Sequence, residues 1–189
     1  MTILFLTKEF PYPVNSGARM RTRHYLKGLC RAAQVILVCG GQVPDDGQLT
    51  LDADTQGRAR LYSSGEAVGN AVSLPARIRA LFSFLPCAVS ARVSSALKEA
   101  ARRAARESEC DVIVCDGIHM ALNVPMEIPC RKILDEHNVE STIIGRFFNT
   151  ARNPLVKIYT LMEWLKFQRF EERVWKQFDE IHVCSDVDK

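Results

Sequence analysis

Three short stretches gather the side chains that could do chemistry. Asp135-Glu136-His137-Asn138 follows the strand-like Lys132-Ile133-Leu134, and Asp116-Gly117-Ile118-His119 follows the apolar run of Asp111-Val112-Ile113-Val114-Cys115. Polar residues at the carboxyl ends of parallel strands line the crevice in which open α/β sheets bind ligands. A plainer account covers part of the first row: Asn138 could cap a helix beginning near Val139, with Asp135 and Glu136 favouring its start electrostatically. It leaves His137 over. The third stretch is the turn after Ile3-Leu4-Phe5-Leu6, with Pro11, Pro13, Asn15, Ser16 and Gly17 ahead of an amphipathic helix. The prolines stop strand and helix alike, and Asn15 or Ser16 can cap the helix start. Unpaired backbone N–H groups, the positive end of the helix dipole and a missing side chain at Gly17 together suit an anion. The same turn could equally be an ordinary strand-to-helix connection. Arg21, one turn into the helix, could reach an anion at Gly17 or be a plain surface arginine.

Something must hold these stretches together, and the apolar pattern supplies it. Ile3-Leu4-Phe5-Leu6, Val35-Ile36-Leu37-Val38-Cys39 and Asp111-Val112-Ile113-Val114-Cys115 are short runs of the kind buried on both faces of a parallel sheet. The first helix puts Thr22, Tyr25, Leu26, Leu29 and Ala33 on one face, and Arg19, Arg23, Lys27 and Arg31 on another that reads as solvated. A strand, helix, strand succession makes a right-handed βαβ unit. A dinucleotide site is not expected: the turn has one glycine, and the second strand ends in Cys39-Gly40-Gly41 without an acidic residue. Residues 42 to 57 read as an exposed loop, Ala59 to Tyr62 as a short strand, and Ser63 to Pro75 as loop again. A long helix from about Asn153 to Lys176 precedes a last strand at Ile181-His182-Val183-Cys184, which ends in Ser185-Asp186. The expected fold class is α/β, a doubly wound parallel sheet with helices on both faces.

Residues 76 to 106 carry Arg77, Arg79, Arg92, Lys98, Arg102, Arg103 and Arg106 against Glu99 alone, with Leu81-Phe82-Ser83-Phe84-Leu85 between them. Pro86 splits this stretch into two helices, the second with a core stripe of Val89, Val93, Leu97, Ala100 and Ala104. Such a segment could lie on an anionic membrane surface, or be a solvated helix with Phe82 and Phe84 in the core.

The composition narrows the classes. With 189 residues, 47% hydrophobic and 25% charged, the chain suits one soluble domain. A net charge of +3 is too small to make nucleic acid the default partner. Seven cysteines, with no C-x-x-C pair and no metal-ligand spacing to the histidines, argue against a disulfide framework and a zinc site, and point to a reducing cytoplasm. Nowhere do about 18 consecutive apolar residues occur, so no membrane span is expected.

In order and spacing, the Pro11-x-Pro13 turn with Asn15-Ser16-Gly17 and Arg21, the Asp111-Val-Ile-Val strand, the Asp135-Glu-His-Asn-Val-Glu140 run and the Phe178-Asp179 to Ser185-Asp186 ending resemble the N-terminal half of GT-B glycosyltransferases of family four. These are retaining transferases that use nucleotide-activated sugars, and the likeness is nearest to members that make polysaccharides or decorate envelope glycans. The resemblance implies a Rossmann-like domain on the acceptor side. It implies a second domain, outside this chain, that holds most of the nucleotide sugar, so that residues 1 to 189 alone would fold but transfer nothing. It implies further that His137 contacts the transferred sugar as the catalytic residue, by positioning and electrostatic stabilisation rather than as a general base. Gly17 and Ser16 would approach the donor diphosphate, Arg21 a phosphate or the acceptor, and Asp116, His119, Glu136 and Asn138 the substrates around them. The expected partners are a nucleotide-diphosphate sugar and a glycan or lipid-linked acceptor, with no metal or other cofactor and no nucleic acid; the expected location is the cytoplasm, at the inner face of the cytoplasmic membrane if residues 76 to 106 dock there. A phosphate- or glycan-binding module without chemistry, or a membrane-docking scaffold, are the alternatives.

Overall fold

In a computed structural model that describes residues 1–69, 83–136 and 138–183, the apolar runs form strands β1 (Thr2–Thr7), β2 (Gln34–Cys39), β3 (Ala59–Ser63), β4 (Val112–Asp116), β5 (Arg131–Glu136) and β6 (Glu180–Val183). They make one six-stranded sheet in the order β3-β2-β1-β4-β5-β6, every neighbouring pair parallel. β1 lies against both β2 and β4, with Leu4 beside Ile36 on one side and Ile113 on the other. The chain winds outward from β1 through β2 to β3, then returns to start again at β4. The point of reversal lies between β1 and β4.

Among the described residues the helices are α1 (Gly17–Ala32), α2 (Gly47–Thr55), the short α3 (Cys87–Ser90), α4 (Ser95–Glu107), α5 (Glu140–Thr150) and α6 (Pro154–Trp175), with a 3₁₀ turn at Ile118–Asn123. Alternate residues of the central strands feed two separate cores. Ile3, Phe5, Val35 and Leu37 pack with Leu26 and Cys30 of α1 and Leu51 of α2. Leu4, Leu6, Ile36 and Ile113 pack with Leu97, Ala101 and Ala104 of α4 and Phe167, Phe170 and Val174 of α6. Apolar cover on both faces is why the inner strands carry no polar alternation. The expected α/β, Rossmann-like, doubly wound sheet is therefore the architecture found.

Several local expectations give way. Residues 42 to 57 are not all loop, because α2 forms on a narrow buried stripe of Gly47, Leu51 and Thr55 that a single large side chain hides among aspartates. The helix after Pro86 is interrupted at residues 91–94: Val93 is 49% exposed rather than core, and Ser94 starts α4 by accepting the Leu97 N–H at 3.2 Å. Phe84, at 93% exposure, is not a core residue. The basic face of α1 is not simply solvated. Arg23 grips Asp54 through Nε and Nη2 at 2.7 and 2.6 Å, and Lys27 donates to the same carboxylate at 3.0 Å. Tyr12 adds a fourth bond at 2.6 Å, so this cluster ties α1, α2 and the first turn together. Phe82, residues 76–81, His137 and Ser185-Asp186 lie outside the described residues. Among the described residues, no helix is long and apolar enough to cross a membrane.

Candidate functional site

The reversal between β1 and β4 opens a cleft of about 160 Å³ at the carboxyl ends of the strands. Its walls come from the turn after β1 (Lys8), from α1 (Arg19 and Thr22), from the loop before α4 (Arg92) and from the end of β4 with the 3₁₀ turn (Asp116 and His119). An open sheet of this winding offers a ligand crevice at this point. A larger hollow of about 410 Å³ beside Lys27, Asp54 and Arg58 lies at the opposite end of the strands, next to the clamp on Asp54.

The turn after β1 is drawn tightly against β2. A Cβ on Gly40 would stand 2.6 Å from the Lys8 carbonyl oxygen and 2.4 Å from Val68 Cγ2, so only glycine allows this approach. The Gly40 N–H donates to that same carbonyl at 3.2 Å, and Thr7 Oγ1 donates to the Glu9 carbonyl at 3.0 Å. Lys8 is thereby held at the cleft mouth. Ser16 caps α1, its hydroxyl accepting the Arg19 N–H at 3.2 Å. Arg19 reaches back to Glu9 at 2.6 Å. On the far wall, Gly117 turns the chain out of β4 with φ 90°, a conformation that favours glycine, while its N–H donates to the Asp135 carbonyl at 2.9 Å.

Beneath the mouth, the strand-end carboxylates are held by specific partners. Thr22 Oγ1 donates to Asp116 Oδ2 at 2.8 Å. Arg21 Nη2 reaches both oxygens of the buried Asp135 at 3.1 and 3.3 Å, joining α1 to β5 across β4. Trp175 Nε1 donates to the buried Glu136 at 2.6 Å. His119 sits edge-on to Phe167 with ring centroids 5.6 Å apart, and its Nδ1 lies 3.9 Å from Glu140 Oε1. Tyr25 shares a 3.1 Å hydrogen bond with His182 Nδ1, and His182 Nε2 is 2.7 Å from Glu180. Burial, followed by the charges of Asp135 and Asp116, pushes the Tyr25 phenol up to about 12.

Two cations stand out. The Lys8 side chain makes no hydrogen bond or ion pair among the described residues, and its ammonium is held below the ordinary lysine range, first by burial and then by Arg92. Burial likewise lowers Arg92, whose Nη1 donates to the Ala88 carbonyl at 2.6 Å. A partly desolvated pair of like charges favours an anion between or beside them.

The expected site residues are thus distributed as follows. Asp116 and His119 line the cleft, and Ser16 and Gly17 precede Ala18, which lines it as well. Arg21 is engaged with Asp135 rather than standing alone at the surface. Asp135 and Glu136 belong to β5 itself and are buried. Asn138 is exposed and does not cap α5: the N-cap is Val139, and the buried Glu171 of α6 accepts the Ser141 N–H at 3.0 Å instead. His137 lies outside the described residues, between Glu136 and Asn138. Lys8 carries no local signal in the sequence, Thr22 reads there as a packing residue and Arg92 as one of a basic run, yet all three line the cleft, and Glu171 is placed at the start of α5 by the fold alone. Among the described residues, no group of three or more His, Cys, Asp or Glu side chains could hold a metal ion.

Fold and cleft together define a Rossmann-like α/β domain with a cationic pocket at its point of reversal. Compared with protein-family models, curated proteins and solved structures, the chain matches none of them.

Proposed function

We propose that this chain is the acceptor-side half of a retaining glycosyltransferase that uses a nucleotide-sugar donor. The observation that carries the reading is the cleft at the reversal of the sheet, which combines cations with hydroxyl- and carboxylate-bearing side chains. Such a lining suits a ligand that is both anionic and hydroxylated, and the order of motifs from Pro11 to Asp179 resembles that enzyme family. A second domain would bring the donor to this face. The start of α1 at Gly17 would neutralise part of its diphosphate without a metal. Arg21 would fix Asp135 and so the exit of β5, from which His137 would reach the transferred sugar. His137 would act by positioning and by stabilising developing charge.

The test is steady-state assay of the complete gene product with UDP- and GDP-sugars, alongside its His137→Ala variant. Transfer with retained anomeric configuration is expected, and the variant should lose about 100-fold in kcat, as when one preorganised electrostatic partner is removed. Absence of turnover together with absence of any binding to nucleotides or their sugars would overturn the reading. A normal kcat with a lowered melting temperature would remove His137 from the active site. The cleft lining named above comes from this chain by itself, which favours a second reading as a phosphate- or glycan-binding module: that protein would bind such ligands yet turn over none.

A further inference from the structure

Lys8 and Arg92 come from elements 84 positions apart in the sequence, yet they line one cleft. Each is partly buried, and neither has a carboxylate within ion-pairing distance among the described residues. The nearby acids have closer partners: Glu9 takes Arg19 at 2.6 Å and favours the Lys8 charge only at longer range, and Asp116 takes the Thr22 hydroxyl at 2.8 Å. Glu140 favours the Arg92 charge only at longer range. Two partly buried cations that line one cleft, with no carboxylate in ion-pairing distance among the described residues, favour an anion there.

The loop carrying Arg92 is also built to hold it. Asn123, wholly buried at 0% exposure, donates through Nδ2 to the Arg92 carbonyl at 2.9 Å and accepts the Ser94 N–H through Oδ1 at 2.8 Å. The Ala88 carbonyl fixes one guanidinium nitrogen from the other side. This explains why the helix breaks at residues 91–94. An unbroken helix would have no reason to spend a buried asparagine on this loop. On the opposite wall the Gly40 contact fixes the Lys8 backbone.

We infer that the cleft is a receptor for a phosphate monoester group, held between the Lys8 ammonium and the Arg92 guanidinium. A tetrahedral dianion presents oxygens in several directions and can meet two cations arriving from separate walls, whereas a planar carboxylate is satisfied by one bidentate arginine. With Asp116, Thr22 and His119 alongside to meet hydroxyl groups, the occupant is a small phosphorylated polyol or sugar. As the acceptor of the proposed transferase this inference rests on that reading, but the binding itself requires neither a donor nor a transfer step.

The experiment is calorimetric and nuclear magnetic resonance titration of the chain at constant ionic strength with inorganic phosphate, glycerol 3-phosphate and, as the uncharged control, glycerol. Saturable binding of glycerol 3-phosphate, tighter than inorganic phosphate and absent for glycerol, is expected. Equal binding of the two phosphates would still support the cation pair while reducing the occupant to free phosphate. Lys8→Met and Arg92→Gln should each weaken binding at least 10-fold, and Arg106→Gln, on the exposed side of α4, should leave it unchanged. Thermal melts separate this from a structural role: without ligand, Lys8→Met should melt at the same temperature as the parent or higher, because it relieves like-charge repulsion between two partly buried groups. No saturable binding by the parent, or binding that survives both substitutions, overturns the inference. Binding with no sugar transfer by the complete gene product would leave it standing and sink only the transferase reading.

Discussion

Gly17 offers the cleanest separation of fold from function. It is the first residue of α1, after the Ser16 cap, and a Cβ built there meets nothing within 4 Å. Nothing in the packing therefore demands glycine. Gly17→Ala should remove unfolded-state freedom and favour the helix by up to about 0.5–1 kcal/mol. For a domain of this size that raises the melting temperature by roughly 1–4 °C. Gly17→Val gives part of that back through β-branching and should stay within about 0.5 kcal/mol of the parent. Binding should behave differently. If the free N–H groups at the start of α1 meet a diphosphate, an isopropyl group in their path removes a charge-assisted hydrogen bond worth about 1.5–3 kcal/mol. That corresponds to roughly 10- to 100-fold weaker binding of UDP or GDP. Melts and nucleotide titrations on the two variants are the assay. Unaltered affinity for Gly17→Val would take the helix start out of the site, and a fall in melting temperature for Gly17→Ala would show that glycine is needed for the fold after all.

Two buried or half-buried carboxylates should push the acid stability of the protein in opposite directions. The Arg23 guanidinium, hydrogen-bonded to Asp54, holds that carboxyl below the usual carboxylate range, so its contribution is full above about pH 4 and is lost as pH falls through the depressed value. Asp54→Asn should cost about 1–2 kcal/mol at neutral pH, a modest sum because the Arg23 and Lys27 side chains are 30% and 37% exposed, and should flatten the acid limb of a melting-temperature profile. Burial raises Glu171 instead, so its contribution is full below about pH 4 and shrinks as pH rises through the elevated value. Glu171→Gln keeps an acceptor for the Ser141 N–H and should gain on the parent between acid and neutral pH, whereas Glu171→Leu strands that N–H and should lose about 1–3 kcal/mol at acid pH, less as pH rises. A Glu171→Gln melt that tracks the parent across this range would show that the carboxyl does not titrate on unfolding.

The sheet could be read from the chain because its strands are buried on both faces: Ile3 to Leu6 and Val35 to Cys39 leave no polar position to disguise them. The elements misread are those whose burial is narrow or whose ends depend on distant partners. α2 buries one large side chain, Leu51, and so lacks the apolar periodicity that announces a helix. The break before α4 is fixed by Asn123, a residue 29 positions beyond Ser94, and the start of α5 by Glu171, 30 positions beyond Ser141. No local pattern carries such information.

The same distinction runs through the site. Asp116 and His119 could be found because strand ends can be found, and the rule that ligands gather there does the rest. Ser16 could be found as a cap. Arg21 was visible as a cation near the helix start, but its role depends on Asp135, 114 positions away, and only the parallel pairing of β4 with β5 brings them together. Lys8 and Arg92 are the extreme case. In sequence, one is a lysine after a strand and the other is one of many arginines in a basic stretch. What marks them is a negative property, partial burial with no carboxylate in ion-pairing distance among the described residues, and that belongs to the cleft rather than to either residue. A chain read in one dimension can show where charge is abundant; which charges are left uncompensated is decided by the fold, and it is the uncompensated ones that a ligand can answer.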